Sequence, residues 1–152
     1  MALGSMNQTK LTVTIDLEEY DAGLTGTLEV DGFRGYGEGW FNLSEIKEFI
    51  EKLNNIASSL EGEADLIGGH SEMDGSNFLE RLGLRCYPIG NLGVIGVHVT
   101  LAEYPYTDCR KEEILKVSGE LKTEVQLVTN FTKELDGLIS GTRESATIIG
   151  RE

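Results

Sequence analysis

Apolar and polar residues alternate along much of the chain with a period of two, the pattern of a half-buried β-strand. The clearest run has its apolar positions at Leu11, Val13, Ile15 and Leu17. A second run over 24–30 alternates in the same way, and Asp31 and Gly32 after it form a dipeptide typical of a two-residue hairpin turn. This part of the chain therefore predicts three consecutive antiparallel strands.

The third predicted strand, over 33–41, has glycine at every second position. If it is extended, one face carries the glycine stripe: Gly35, Gly37 and Gly39. The opposite face carries four side chains, called the ladder from here on: Arg34, Tyr36, Glu38 and Trp40. A strand face without side chains suits close approach by another backbone, a helix or an aromatic ring. The spacing does not match the glycine motifs of phosphate-binding loops, so nucleotide binding is not expected.

Two stretches have the three- and four-residue apolar spacing of amphipathic helices. The first follows Asn42, which has the spacing of a capping box with Glu45, and it ends at a stop at Gly62. The second is predicted to begin near Thr129 or Asn130, either of which could cap it. Its predicted buried residues are Phe131, Leu135, Leu138 and Ile139.

Between the helices, alternating runs over 64–69, 78–87, 92–104 and 116–128 predict about four more strands. No internal repeat at a fixed period is visible. Strands in hairpin-length succession favour an α+β fold. The expected architecture is a mainly antiparallel sheet of about six to seven strands, with two helices packed on one face.

A chain of 152 residues with 39% apolar residues can bury one continuous core, so a single α+β domain is expected over 6–140. Residues 1–5, MALGS, precede a second methionine and are interpreted as the remnant of an expression tag. Residues 141–152 are expected to be frayed or loosely docked.

The formal net charge is −13. Such a charge disfavours nucleic acid and anionic membranes as partners and speeds encounter with a basic protein, although acidity also serves solubility alone. No apolar run approaches the roughly 20 residues that span a bilayer, and no secretion signal is recognised. A cytoplasmic location is therefore expected.

The cysteines and histidines do not have the spacing of a known catalytic or metal-binding motif. Cys86 is expected to be a small buried hydrophobe, and Cys109 a loop thiol. His70 and His98 are expected to be solvated or locally hydrogen-bonded, and the stretch 70–77 lacks the ordered ligand positions of a calcium loop. No catalytic residue, metal or cofactor is assigned, and the protein is expected not to be an enzyme.

The ladder is the best candidate for a binding site. If it faces solvent, a tyrosine and a tryptophan between charged residues resemble an interface hot spot. If it faces the core, the same aromatics are packing, and this orientation is slightly favoured because tryptophan is highly buried on average. The predicted partner-binding residues are therefore the ladder residues, with the glycine stripe as the surface of close approach.

Three stretches resemble the WapI-type immunity proteins of bacterial polymorphic toxin systems. They are DGFRGYGEGWFNLSEIKEFIEKLNNI (31–56), LGVIGVHVTLAEY (92–104) and NFTKELDGL (130–138). The resemblance covers most of 11–139 and rests on glycine and apolar spacing rather than on a chemical fingerprint. It implies a noncatalytic protein that binds the toxin domain of a secreted toxin, expected to attack RNA, and occludes its basic active site. The family's contact residues do not carry over position by position, because they differ between toxin pairs.

Two other functions stay open at this point. One is a small-ligand-binding or self-associating α+β module, in which the glycine stripe admits a small molecule or a second subunit. The other, ranked last, is an enzyme with a dispersed carboxylate site that uses Glu38 with His98 or His70.

Overall fold

The computed structural model describes residues 9–71, 78–105 and 109–151. These residues form an α+β fold of eight strands and two helices, and Lys111–Glu113 form a 3₁₀ turn. The elements, in chain order, are β1 (Lys10–Leu17), β2 (Asp21–Val30), β3 (Phe33–Asn42), α1 (Leu43–Ser59), β4 (Ala64–His70), β5 (Leu79–Ile89), β6 (Val94–Ala102), β7 (Lys116–Glu124), α2 (Val125–Ser140) and β8 (Ser145–Ile149).

The strands form two four-stranded antiparallel sheets. The first sheet has the order β3-β2-β1-β8, and the second has the order β4-β5-β6-β7. The prediction of one sheet with six to seven strands is therefore corrected to two sheets with eight strands. The alternation of polar and apolar residues identifies a strand and its buried face, but it does not specify which sheet the strand joins.

The chain passes twice through the same order of elements, three strands, a helix and a strand. In the first unit this is β1 to β4, and in the second it is β5 to β8. The last strand of each unit pairs with the first strand of the other, β4 with β5 and β8 with β1. Helix contacts repeat as well, because α1 contacts β3, β4 and β5 while α2 contacts β7, β8 and β1. The fold is thus a structural repeat that the sequence did not reveal.

The two helices pack against each other, and each contacts strands of both sheets. The predicted packing of both helices on one face of a single sheet is therefore corrected. The first helix has the predicted start, because the backbone N–H of Asn42 donates to Glu45 Oε1 at 3.0 Å. Its buried residues follow the predicted spacing and are Ile46, Phe49, Ile50, Leu53 and Ile56.

The C-terminal elements differ from the prediction. The second helix begins at Val125 rather than at Thr129 or Asn130, and the preceding strand ends at Glu124. Val125 and Leu127 happen to continue the two-residue alternation of the strand. The buried residues Val128 and Phe131 instead have the spacing of a helix. Three of the four predicted buried residues of the helix, Phe131, Leu135 and Leu138, are in the core.

Residues 145–149 are an integral strand and not a frayed tail. They pair with β1 from Lys10 to Thr14, and they bury Ala146 and Ile148. The run is short and follows a polar turn, so its period alone did not distinguish it from a loose end. Its partner strand lies more than 130 residues earlier in the chain, and such a long-range pairing leaves no local signal.

Candidate binding surface on the first sheet

The glycine stripe of β3 faces the second sheet. A Cβ atom on Gly35 would lie 2.5 Å from Val117 Cγ1, and one on Gly37 would overlap the carbonyl oxygen of Arg81. At Gly39 the same atom would lie 3.4 Å from the Cα of Gly68. Because β3 also contacts all four strands of the second sheet, it runs across them. The sequence predicted a bare strand face for close approach by another backbone, a helix or an aromatic ring, and in the structure the second sheet lies against this face.

The ladder faces solvent. Tyr36 is 65% exposed and Trp40 is 45% exposed, Arg34 is exposed, and Glu38 is half-buried. The slight preference for a core-facing ladder was therefore wrong. The average burial of tryptophan favoured the core, but the glycines on the opposite face are needed where the sheets meet, and the alternation of the strand then turns the aromatics outward.

Trp40 lies over a glycine of the neighbouring strand. Gly23 is its direct cross-strand partner, and a Cβ atom there would lie 2.7 Å from Trp40 Cε2. The indole thus covers bare backbone, which positions it without burying it. An aromatic ring over a cross-strand glycine is a known way to stabilise such a site in a sheet.

Small hydroxyl residues extend from the ladder across the outer face of the first sheet. One row runs across all four strands from Tyr36, and its other members are Thr27, Thr12 and Thr147. The next row runs from Glu38 through Thr25, Thr14 and Ser145. Beside the two aromatic rings, the face therefore has only short, polar side chains. A broad surface of a partner protein can pack against such a face.

The charges on this face are separated along the strands. Arg34 lies opposite Glu29, which in turn lies opposite Lys10, so both basic residues of the face are at one end. At the other end, Asp16 shares the row of Trp40. That row adjoins the acidic turn, residues 16–21, which contains four carboxylates and no basic residue. The exposed tryptophan thus stands at the negative end of the surface.

The polar groups of the ladder side chains have no partner among the described residues. In the described part of the chain none of the four makes a hydrogen bond, an ion pair or a ring contact. The indole N–H of Trp40, the hydroxyl of Tyr36 and the guanidinium of Arg34 are therefore free to bind another molecule. Exposed aromatic and arginine side chains are enriched among the residues that dominate binding energy.

On the outer face of the second sheet, several polar side chains hydrogen-bond one another. Arg85 donates two hydrogen bonds to the Glu80 carboxylate, at 2.8 and 2.6 Å, and these hold the pKa of Glu80 below its usual value. Tyr87 donates to Glu120, and that hydrogen bond, with partial burial, raises the pKa of Tyr87 to about 12. Further cross-strand contacts join Thr100, Ser118 and His98.

The structural repeat allows a direct comparison between the two outer faces. Both β3 and β7 end at the residue before their helix, so counting back from the helix places Trp40 with Lys122 and Tyr36 with Ser118. Cross-strand pairing agrees, because Trp40 lies opposite Gly23 and Lys122 lies opposite Gly96. The fold is thus built without an aromatic ladder on β7, and the aromatic residues of β3 are not a requirement of the architecture.

The structure does not bring Glu38 together with either histidine. Glu38 lies on the outer face of the first sheet, whereas His98 lies on the outer face of the second, where its Nε2 is 3.4 Å from Ser118 Oγ. His70 packs its ring against Tyr104, with 4.9 Å between the centroids. The arrangement offers no acid–base pair around Glu38.

The described residues contain no group of three or more His, Cys, Asp or Glu that could hold a metal ion. Most of the stretch 70–77 lies outside the described residues. A cleft between α1 and β4 has about 130 Å³, below the roughly 300 to 1,000 Å³ of typical ligand sites. Cys86 is buried as predicted, which raises the pKa of its thiol, and Cys109 lies outside the strands and helices.

Two features of this surface were missed in the sequence, namely the seat of Trp40 on Gly23 and the rows of hydroxyl residues. Both features could have been predicted from the sequence. The two-residue turn at Asp31 and Gly32 fixes the register of the hairpin, and that register places Gly23 opposite Trp40 and Thr25 opposite Glu38.

Comparisons of the chain with models of protein families, with curated proteins and with solved structures find no match. In the part of the chain that the structure describes, neither helix is long and apolar enough to cross a membrane.

Proposed function

We propose that this protein is a noncatalytic binder of a basic protein, and that it acts in the bacterial cytoplasm as an immunity protein against an RNA-targeting toxin domain. The observation that carries the proposal is the contrast between β3 and β7. At equivalent positions of the repeat, β3 has free, exposed aromatic side chains, whereas β7 has no aromatic residue and its Ser118 and Glu120 are hydrogen-bonded to neighbouring side chains. The fold does not require this difference, and the difference supports a role of the β3 side chains in binding.

A basic partner follows from the charge of the protein and its distribution. The net charge is −13, and the exposed Trp40 adjoins the four carboxylates of the acidic turn. Unlike charges speed encounter and orient the partner, while a buried aromatic centre slows dissociation. A nuclease that grips phosphates has a basic groove, so an acidic surface of this kind could occlude it. The resemblance to WapI-type immunity proteins favours the same role.

The test is affinity capture with the immobilised protein from a lysate of its native host, at low and high salt. A triple variant, Tyr36→Ala, Glu38→Lys and Trp40→Ala, is compared with a control variant on the equivalent strand, Ser118→Ala and Glu124→Lys, which changes the net charge equally. We expect wild type and control to retain a basic protein and the triple variant to lose it, with both variants folded by circular dichroism.

The captured protein is then tested for RNA cleavage with and without added wild type. Inhibition by wild type and by the control, but not by the triple variant, supports the proposal. Equal retention by both variants, an acidic captured protein, or cleavage that wild type does not inhibit would overturn it.

A further inference from the structure

We infer that the free edge of β3 pairs with β3 of a second copy of this chain, so that two first sheets join into one continuous antiparallel sheet. The inference goes beyond the proposed function, because it concerns the edge of the strand and not the outer face that binds the basic partner. It rests on the protection of the other sheet edges and on the self-complementary sequence of β3.

Among the described strands β3 pairs only with β2, and its ten residues form that ladder without a shift in register. It contains no proline and no bulge. An edge strand of this length without such features is a template for pairing with another strand. The other three edges each carry a feature that blocks such pairing.

The pairing of β4 with β5 shifts between Gly68 and Gly69, which marks a bulge. On β7, Lys116 and Lys122 are exposed, and lysine on an edge strand discourages addition of another strand, whereas β3 contains no lysine. The five-residue β8 has the N–H of Thr147 capped by Glu134 at 2.9 Å. In addition, the N–H of Arg151 donates to the carbonyl oxygen of Lys122, which holds the chain after β8 to β7.

The sequence of β3 is complementary to itself in the antiparallel direction. When two copies pair with Tyr36 of each at the centre, Arg34 of each copy lies opposite Glu38 of the other. Shifting the centre by one side chain along the same face, to Arg34 or to Glu38, places like charges opposite each other. Among the described residues Arg34 has no ion-pair partner, so it is available to the second copy.

At its centre, the inner side of the junction needs no space for side chains. In the same register Gly35 of each copy lies opposite Gly37 of the other, and both faces are bare backbone. The added strand can therefore continue the sheet as closely as β3 itself does. Such a pairing has two-fold symmetry and closes after two copies.

The pairing enlarges the binding surface of the proposed function. It places the two ladders side by side on one outer face, with two copies of Tyr36 at the centre and the acidic turns at the two ends. The second copy thus contributes a tyrosine and a tryptophan to the surface that each partner meets.

The test is the molar mass of the purified protein by sedimentation and light scattering over a wide concentration range, at about 0.15 M salt, where repulsion between the two acidic copies is screened beyond about 8 Å. We expect a dimer for wild type. Arg34→Glu and Glu38→Arg, each alone, place like charges opposite each other twice and should raise the dissociation constant about tenfold or more. The double variant with both changes restores opposite charges and should restore the dimer.

Lys116→Glu, at the position of β7 equivalent to Arg34, is the matched control and should leave the dimer unchanged. Wild type that stays monomeric at all concentrations would overturn the inference, as would a dimer that neither single variant weakens or that the double variant does not restore. Because none of these measurements uses the basic partner, their outcome is independent of whether the protein neutralises a toxin.

Discussion

The indole of Trp40 lies across the backbone of Gly23, so close that a single added carbon at Gly23 would sit 2.7 Å from the ring. Trp40 is also the only tryptophan of the chain. Intrinsic fluorescence therefore reports on the centre of the candidate binding surface without any label.

Gly23→Ala is expected to lift the indole from the sheet. The new methyl group cannot share the space of the ring, so the fluorescence emission should shift to longer wavelength and the free energy of unfolding should fall by about 1–3 kcal/mol. The same substitution is also made in a protein that already carries Trp40→Ala. There the same Gly23→Ala change should be neutral or slightly stabilising, because alanine restricts the unfolded chain. An equal loss of stability in both backgrounds would contradict the packing of the ring on Gly23.

Gly37→Ala is expected to separate the two sheets locally. The added Cβ overlaps the carbonyl oxygen of Arg81 and lies 2.9 Å from the backbone nitrogen of Ala102, and backbone atoms cannot move aside cheaply. We expect a loss of about 1–3 kcal/mol, or failure to fold, by urea unfolding. Gly119 is the equivalent residue of β7, and a Cβ atom added there would have no atom within 4 Å beyond its chain neighbours. Gly119→Ala should therefore be neutral or stabilise by up to about 1 kcal/mol, and a similar loss in both variants would refute this assignment.

Glu80→Gln is expected to remove a pH-dependent part of the stability. The hydrogen bonds from Arg85 lower the pKa of Glu80 in the folded state, so the folded protein binds fewer protons than the unfolded chain as pH falls below about 4.3. The contribution of the carboxylate is complete above that value and is lost as pH falls through the lower folded pKa. At pH 7 we expect wild type to exceed the variant by about 1 kcal/mol, since the pair is only partly buried.

The measurement is urea unfolding of both proteins between pH 3 and pH 7. The difference between them should shrink toward the acid end. Glu112→Gln is a suitable control, because its carboxylate is 75% exposed and lies 4.0 Å from Arg110. A difference between wild type and Glu80→Gln that does not change with pH would argue against the ion pair.

The two cysteines are expected to differ in reactivity toward a thiol reagent at pH 8. Burial raises the pKa of the Cys86 thiol, and the thiolate is the reactive form, so Cys86 should react only when the protein opens. Cys109 is partly accessible and should react in the folded state. One thiol should therefore be modified quickly and the second only in denaturant, and mass spectrometry of peptides should place the fast label on Cys109. Fast labelling of Cys86 would mean that the core around β5 opens readily.

Much of the fold was determined by local patterns in the sequence. The alternation from Leu11 to Leu17, the hairpin turn at Asp31 and the capping box of Asn42 each specify their own element, because the chain geometry and hydrogen bonds that they require lie within a few residues. The same locality explains the error at the second helix, where Val125 and Leu127 fit both periods and only their packing distinguishes helix from strand.

The tertiary structure decided the sheet partners and the direction of the ladder. The last strand of each repeat unit pairs with the first strand of the other unit, β8 with β1 and β4 with β5. Neither pairing can be recognised from the residues next to it in the sequence. The sequence determined that one face of β3 is glycine and the other is aromatic. Only the position of the second sheet, against Gly37, decided that the glycines are buried and that Tyr36 and Trp40 face solvent, because two backbones can approach that closely only where no side chain intervenes.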